Sequence, residues 1–520
     1  MSLNSRRIKP ERFFLILAFL FGFLFVFVTP PFQVPDEPAH FYKAYQVSKF
    51  SFLGEKQADC ASTYNPISIV TVIGKKKGNC SGDYIPISIV TMANDLIGNI
   101  PSHPENKVPI EKVLRHLNEK ADLDVKDFCG FPNTVIYSPI VYMPQSVGIG
   151  IARIFNCSPL VMFYAGRLFN LLAFILIVYF SIKIIPFFKW GLVLIALMPM
   201  TIFEVASLSA DPVCYAISFF LFAFILKYAF DDDTKKVTRA AVFKIASLGF
   251  LLGLCKFSYV LLPFLFLLIP VKRFNSKKVF FSSFLFIVFS SFIGFVIWSF
   301  LTKKIYIPIW PYVDLHKQVY HILTHPLAYL SAITSDKTLN MYLLHSVVGN
   351  LGWLDTHIPD FLLNIYIWLV ILYALFEKKK VTVMLYQKAI ILLVTVFSFL
   401  LVITMIYMSW NKVGADSIDG LQGRYFIPII PLFLVLFYNK SSLFTTEIGA
   451  KIYTIIVEQG RIFLPLYIIF LLFVSLLITI SRFYSITILD AFPGYPYYAV
   501  ILLLVISVAV FLRKGSSAKR

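Results

Sequence analysis

Charged side chains are scarce in these 520 residues: Asp, Glu, Lys and Arg make up 14%, while 58% are apolar. A soluble globular chain has about 25% charged and about 45–50% apolar residues, so a soluble fold could not cover this much apolar surface. The 54 Phe exclude a disordered chain as well. Nucleotide machinery is also missing. No Walker A lysine motif, Rossmann glycine fingerprint or Gly-x-Ser-x-Gly elbow occurs in a suitable context. Cys and His show no zinc-ligand spacing, His321, His325 and His345 included. Acidic residues are the scarcer sign, 28 against 47 Lys and Arg, for a formal charge of +19.

What is abundant is the apolar run. Stretches long enough to cross about 30 Å of hydrocarbon recur near 12–30, 168–187, 191–209, 211–229, 241–255, 257–270, 279–300, 361–376, 387–409, 425–438, 462–480 and 496–512. The chain therefore reads as an all-α polytopic membrane protein of about 12 transmembrane helices. Its units are the first span (1–30), a long first extracytoplasmic loop (31–167), a bundle (168–300), a second outer loop (301–360), a second bundle (361–512) and a tail (513–520). Arg6, Arg7, Lys9 and Arg12 precede the first span, so the N-terminus is expected in the cytoplasm. Alternation then places 26 of the 47 basic residues on the inner side, with the C-terminal Arg513, Lys514, Lys519 and Arg520 among them. Positive-inside bias accounts for the charge, and nucleic acid is not needed to explain it. Thr29-Pro30-Pro31 stands where a small-residue cleavage site would be, so the first span is expected to be kept.

The 31–167 loop holds a local duplication: Cys60–Val72 matches Cys80–Met92 at a spacing of 20, with 8 of 13 positions identical. The shared Ile-Ser-Ile-Val-Thr reads as a short strand from its β-branching. Cys60, Cys80, Cys129 and Cys157 fall on the outer side, where three pairings are open. Cys60 with Cys80 is one, because they occupy equivalent positions, and free thiols are the alternative. The Thr134–Phe155 stretch is broken by Pro139 and Pro144 and reads as an interfacial helix, with Tyr137 and Tyr142 at headgroup level.

Polar groups that could carry chemistry cluster at the outer ends of spans. Four prolines in nine positions stiffen the chain from Pro30 to Pro38, and Asp36, Glu37 and His40 lie in this exit. A carboxylate near low dielectric can act as a general base. The structural reading is that Asp36 caps a helix starting at Glu37-Pro38. Arg167 begins the second span, Glu204 and Asp211 bracket the next outer turn, Lys256 lies between two short spans, and Arg424-Tyr425 ends an outer loop. Asp211 before Pro212 also reads as a cap, and Lys256 and Arg424 as snorkelling residues. A charge at the lip of a bilayer is otherwise a functional hypothesis. Trp353 and Asp355 add an aromatic and an acid in the 301–360 loop, although Trp is usually an interface anchor.

The run Val34-Pro35-Asp36-Glu37-Pro38-Ala39-His40-Phe41-Tyr42 resembles the signature of a bacterial family of uncharacterised multispan membrane proteins. Tyr137-Ser138-Pro139, Tyr142-Met143-Pro144-Gln145, Ser209-Ala210-Asp211, Gly352-Trp353-Leu354-Asp355 and Gln422-Gly423-Arg424-Tyr425-Phe426 match it in order. That family is similar to the GT-C superfamily of membrane glycosyltransferases. The resemblance implies a polyprenyl-phosphate-linked sugar as donor, an envelope glycan or lipid-linked acceptor, and Asp36 and Glu37 in the catalytic acidic position. His40, Arg167, Asp211, Lys256, Trp353, Asp355, Arg424 and Tyr425 are then the expected substrate-binding residues, and a divalent cation held by Asp36 and Glu37 is a candidate cofactor. The expected location is the bacterial cytoplasmic membrane with the active face outside. A flippase for lipid-linked saccharides and a non-catalytic envelope scaffold are the competing readings. The duplicated insert lies outside the family pattern.

Overall fold

The computed structural model describes residues 8–65, 70–101, 103–234, 236–376, 381–438 and 447–484. The expected 496–512 span and the 513–520 tail lie outside the described residues, as do Arg6 and Arg7. The chain opens with α1 (Pro10–Val28) and α2 (Glu37–Ser48), then strands β1 (Glu55–Asn65) and β2 (Val70–Pro86). Helices α3 (Ile87–Ile97) and α4 (Ile110–Arg115), strand β3 (Lys126–Gly130) and α5 (Met143–Ile154) complete the first loop. Next come α6 (Pro159–Ile184), α7 (Lys189–Ala196), α8 (Pro199–Val205), α9 (Asp211–Phe230), α10 (Arg239–Cys255) and α11 (Lys277–Thr302). The second loop carries α12 (Leu315–Thr324), α13 (Pro326–Thr334), α14 (Met341–Gly349) and a two-residue ladder of β4 (Asn350–Leu351) with β5 (Thr356–His357). Helices α15 (Asp360–Phe376), α16 (Leu385–Trp410), α17 (Ile430–Leu436) and α18 (Glu447–Phe483) end the described chain.

Among the described residues six helices are long and apolar enough to cross a membrane: α1, α6, α9, α11, α16 and the Phe463–Phe483 part of α18. The fold is mostly helical, as its composition implies. Three expected spans are not continuous α-helices. The 191–209 run breaks before Pro199, whose ring cannot continue α7. The 257–270 run is 3₁₀ structure over Phe257–Tyr259 and Leu262–Leu268, and 425–438 contains only a 3₁₀ turn (Gly423–Phe426) and the short α17. A 3₁₀ helix rises about 2.0 Å per residue against 1.5 Å in an α-helix, so a short run covers more depth. Both runs return to the end where the preceding helix began: Arg273 Nη1 donates to Thr234 O (2.7 Å) and Lys388 Nζ to Leu436 O (2.9 Å). Gln387 Nε2 reaches Leu268 O (3.1 Å), joining the two hairpins at that same end. Helix α6 starts at Pro159, well before the expected 168, which puts Arg167 inside the helix rather than at its start.

Small residues set the closest helix contact. Gly249 and Gly253 on α10 form a small-xxx-small stripe against Ile287, Ser290 and Ser291 of α11, and Gly294 of α11 packs in turn on the Phe250 carbonyl, as in membrane helix pairs. A Cβ at Gly253 would lie 1.9 Å from Ser291 O.

The three long strands of the first loop close on one another, β2 pairing antiparallel with both β1 and β3. Cys60 and Cys80 are joined in a disulfide between β1 and β2, which answers that open pairing. The duplicated pentapeptide does not keep one structure. In the first copy Val70-Thr71 begin β2, and residues 66–69 lie outside the described residues. In the second copy Ile87–Thr91 opens α3, against the expectation of a strand. The residues just C-terminal to each copy decide between the two. Ile89, Val90, Ala93, Leu96 and Ile97 bury one helical face, whereas the equivalents of Leu96 and Ile97 in the first copy are Lys76 and Lys77. Helix α5 does form over the expected interfacial segment, with Val147, Ile151 and Ile154 exposed. Tyr142 departs from expectation: it is fully buried in protein rather than placed at headgroup level.

Candidate functional site

Glu37 and Arg167 meet as a closed pair. Arg167 donates Nε to Glu37 Oε1 (2.8 Å) and Nη2 to Oε2 (2.6 Å), and both side chains are fully buried. The other guanidinium protons go to Val26 O (2.9 Å), Thr29 O (2.7 Å) and Pro30 O (3.2 Å), so all five donors of the side chain are used. These carbonyls belong to the last turn of α1 and the residues after it, where an α-helix leaves acceptors unsatisfied and favours a cation. Glu37 Oε1 also accepts from Leu208 N (2.9 Å), which ties the start of α2 to the chain just after α8. The pair is a clamp that holds the turn from α1 to α2. Both Glu37 oxygens are engaged and buried, so the structure places it in a clamp rather than in the open position expected of a catalytic carboxylate. The same clamp holds Arg167 away from the ligand-facing position expected of it, and it leaves Glu37 engaged on both oxygens rather than open to the candidate cation expected between Asp36 and Glu37.

Asp36 stands one residue earlier and faces elsewhere. Its backbone is left-handed (φ 62°), and its side chain makes no capping bond to α2, contrary to the cap expected from sequence. Asp and Asn are the non-glycine residues best suited to this conformation. The conformation points the carboxylate away from the helix N-terminus, where Asn133 Nδ2 donates to Oδ1 (3.1 Å). Next along the same turn, His40 Nδ1 is 2.7 Å from the Tyr142 hydroxyl, and its ring stacks near Tyr137 at 6.3 Å. Burial, and then the Arg424 guanidinium, push the His40 pKa down to about 3, so the ring is neutral at physiological pH.

The remaining charges converge where helices break. Glu204 lies in the last turn of α8, Asp211 starts α9, Lys256 comes directly after α10, and Arg424 lies in the 3₁₀ turn before α17. Arg424 Nη1 donates to both Glu204 oxygens (3.0 and 2.9 Å), and its Nε lies 3.7 Å from Asp211 Oδ2. Lys256 pairs with Asp211 Oδ1. Asp211 is therefore an ion-pair partner, not the cap its place before Pro212 suggested, and neither cation snorkels. Ser209 Oγ donates to Glu204 Oε1 (2.5 Å). The Tyr425 ring is shared by both cations, with Lys256 Nζ 5.2 Å and the Arg424 guanidinium 5.6 Å from its centroid. Tyr215 and Tyr259 donate to the carbonyls of Arg424 and Tyr425 (3.0 Å each) and fix the turn. Gly423 lets that turn approach α14: its N–H donates to Ser346 Oγ (3.0 Å), and a Cβ there would lie 2.2 Å from Val347 N.

Two pairs of opposite charge, a neutral histidine and Asp36 thus share one end of the bundle. Asp36, Tyr137, Lys256 and Tyr425 are its partly exposed members, while Glu204, Asp211 and Arg424 are buried. Trp353 and Asp355 belong to another cluster. Trp353 Nε1 donates to Gln33 Oε1 (2.8 Å), and Asp355 Oδ2 accepts from Arg482 Nη2 (2.7 Å) at the end of α18. Asp355 ties the second loop to α18 and Trp353 ties it to the α1–α2 connection, and neither joins the Lys256–Arg424 group. Sequence reasoning missed Asn133, Tyr215 and Tyr259, which carry no spacing signal of their own, while Ser209 stood in the matching Ser209-Ala210-Asp211 run without an assigned role. Tyr137 and Tyr142 stood in a matching motif but were read as headgroup anchors.

Residues 19–433 match the family model described as "Predicted membrane protein (DUF2142)", and the chain belongs to that family. No curated protein and no solved structure matches the chain.

Proposed function

We propose that this member of a membrane family transfers a sugar from a polyprenyl phosphate to an envelope glycan or lipid-linked acceptor. In this reading the site lies at the extracytoplasmic face of the bacterial cytoplasmic membrane, both chain termini are cytoplasmic, and the architecture is GT-C-like with about twelve crossings. The observation that carries it is the partly exposed Asp36 carboxylate sharing one bundle end with Lys256, Arg424 and Tyr425. Asp36 takes the proton of an acceptor hydroxyl, the oxygen attacks the anomeric carbon, and the bond to phosphate breaks so that polyprenyl phosphate leaves. A phosphate leaving group needs its charge stabilised rather than protonated, and preorganised cations in a dry site do this. Lys256, the more open of the two cations (18% side-chain exposure against 6%), meets the phosphate, and Arg424 supports it from below. Both cations are already paired with carboxylates, so they are held in place without a ligand and cost little to order when one arrives.

Asp36→Asn tests the reading. Asn keeps the left-handed backbone and can still accept from Asn133, but it loses the base. Mass spectrometry of envelope glycans should show the modification lost at wild-type protein level. Normal modification by the variant removes the chemical centre of the proposal. Broken helices beside charged residues also occur in transporters, and a flippase is the second reading. Movement of a lipid-linked saccharide across vesicles containing the purified protein, undiminished by Asp36→Asn, would favour it.

A further inference from the structure

A cleft lies against the turn that carries Arg424, joined to it through Ser346 of α14. It encloses about 160 Å³ between α14 and the start of α15, and Tyr342, His345, Asn350, His357, Ile358 and Asp360 line it. The proposed chemistry uses none of these residues. Asn350 is 2% exposed, and its Nδ2 donates to the Tyr342 hydroxyl (2.5 Å). Its Oδ1, also buried, has no hydrogen-bond partner among the described residues. A buried carbonyl oxygen without a donor is uncommon in a folded protein and calls for an explanation. His345 is held between Asp360 Oδ1 (3.2 Å from Nδ1) and Asn364 Oδ1 (2.9 Å from Nε2), so its ring plane is fixed. The His357 ring meets the half-exposed Tyr342 ring edge-on at 6.0 Å.

These features select a class of ligand. The unpartnered Asn350 oxygen, buried in the cleft lining, is satisfied by a hydrogen-bond donor. The Asp360 carboxylate lines the cleft and no Lys or Arg does, which disfavours phosphate. The Tyr342 ring and Ile358 supply an apolar wall. A cavity of roughly 150 Å³ accommodates one six-membered ring. A neutral, hydroxyl-bearing ring with one apolar face satisfies all four conditions. Because Ser346 of α14 accepts from Gly423 N, the cleft wall and the Arg424–Tyr425 turn are hydrogen-bonded neighbours.

We propose that this cleft is a carbohydrate subsite that holds a neutral sugar ring of the acceptor next to the Lys256–Arg424 centre. As an acceptor site it rests on the transferase reading. As a sugar-binding site it stands on its own geometry. The experiment is saturation-transfer NMR on the full chain in nanodiscs with methyl α-glucoside, methyl α-mannoside and methyl N-acetyl-β-glucosaminide, and with glucose 1-phosphate as the anionic comparison. At least one neutral glycoside should show saturation transfer, stronger than the phosphate ester. Tyr342→Ala and His357→Ala should each lower that signal roughly fivefold, the scale of a lost aromatic contact. Absence of saturation transfer with every neutral glycoside, or a signal that both cleft variants retain, overturns the proposal. If glycosides bind as expected but envelope glycans do not depend on the protein, the transferase reading fails and the sugar site stands. If transfer is found and Tyr342→Ala leaves the acceptor KM unchanged, the cleft proposal fails and the transferase reading stands.

Discussion

Replacing Glu37 with Gln removes the carboxylate that pairs with Arg167 while keeping the side chain's shape and one acceptor oxygen. The guanidinium stays fully buried, with its contacts to Val26, Thr29 and Pro30 intact but its charge uncompensated by Glu37. Breaking a buried ion pair by removing one partner costs about 3–5 kcal/mol, roughly a hundredfold to several thousandfold in the ratio of folded to unfolded protein. Arg167→Met should cost more. It strands the Glu37 carboxylate and deprives three carbonyls of their donor, each worth about 1 kcal/mol or more. Asp36→Asn should cost little, because Asn suits the left-handed backbone and can still accept from Asn133. The assay is thermal resistance of the detergent-extracted full chain, read as the monodisperse fraction after heating. The expected order is wild type equal to Asp36→Asn, then Glu37→Gln, then Arg167→Met. A Glu37→Gln protein as heat-resistant as wild type yet devoid of glycan modification would refute the reasoning. It would mean that the Glu37 charge serves chemistry rather than the fold.

Because the folded-state pKa of His40 is about 3, below its unfolded value near 6.5, the unfolded chain binds the extra proton between these values. Stability should therefore fall as pH drops from 6.5 toward 3, and His40→Phe should flatten that slope in melting curves taken across the interval. Cys60 and Cys80 should resist maleimide in the unreduced protein, and their cross-link over 20 residues should contribute about 3 kcal/mol to the loop. Full labelling of both cysteines without reductant would count against the pairing. Gly253→Ala should force α10 away from Ser291 and cost about 1–3 kcal/mol as overpacking. It should show as lower thermal resistance of the extracted protein, whereas an unchanged midpoint would mean that the two helices can part freely.

The membrane class, the long helices and the end of the bundle that holds the charges were legible from local signals. Apolar runs longer than about 18 residues admit few other readings, and α1, α9, α11 and α16 begin and end within a few residues of where the runs do. Basic clusters also marked which loops share an end, since the segments after α9 and before α11 touch through Arg273 and Thr234. The interrupted segments were less legible. Apolarity is the same whether a run is α, 3₁₀ or broken, and the residues Pro199, Pro263 and Pro431 decide only together with their packing.

The roles of the individual charges were beyond the sequence for a different reason. Asp36 and Glu37 are adjacent and chemically alike, and residue type alone made them a pair. Their side chains part because Asp36 takes a left-handed backbone while Glu37 starts the helix, and only Arg167, 130 positions away, determines which of them is consumed. The Ile-Ser-Ile-Val-Thr repeat has the same limit: one sequence enters a strand in one copy and a helix in the other, because neighbours further along supply or withhold an apolar face. Composition and hydrophobic length by themselves determined that this chain belongs in a bilayer, since burial of apolar surface is additive along the chain. Which of the two carboxylates the arginine engages was decided by the tertiary structure alone, since ion pairing and desolvation depend on contacts between residues that the sequence keeps far apart.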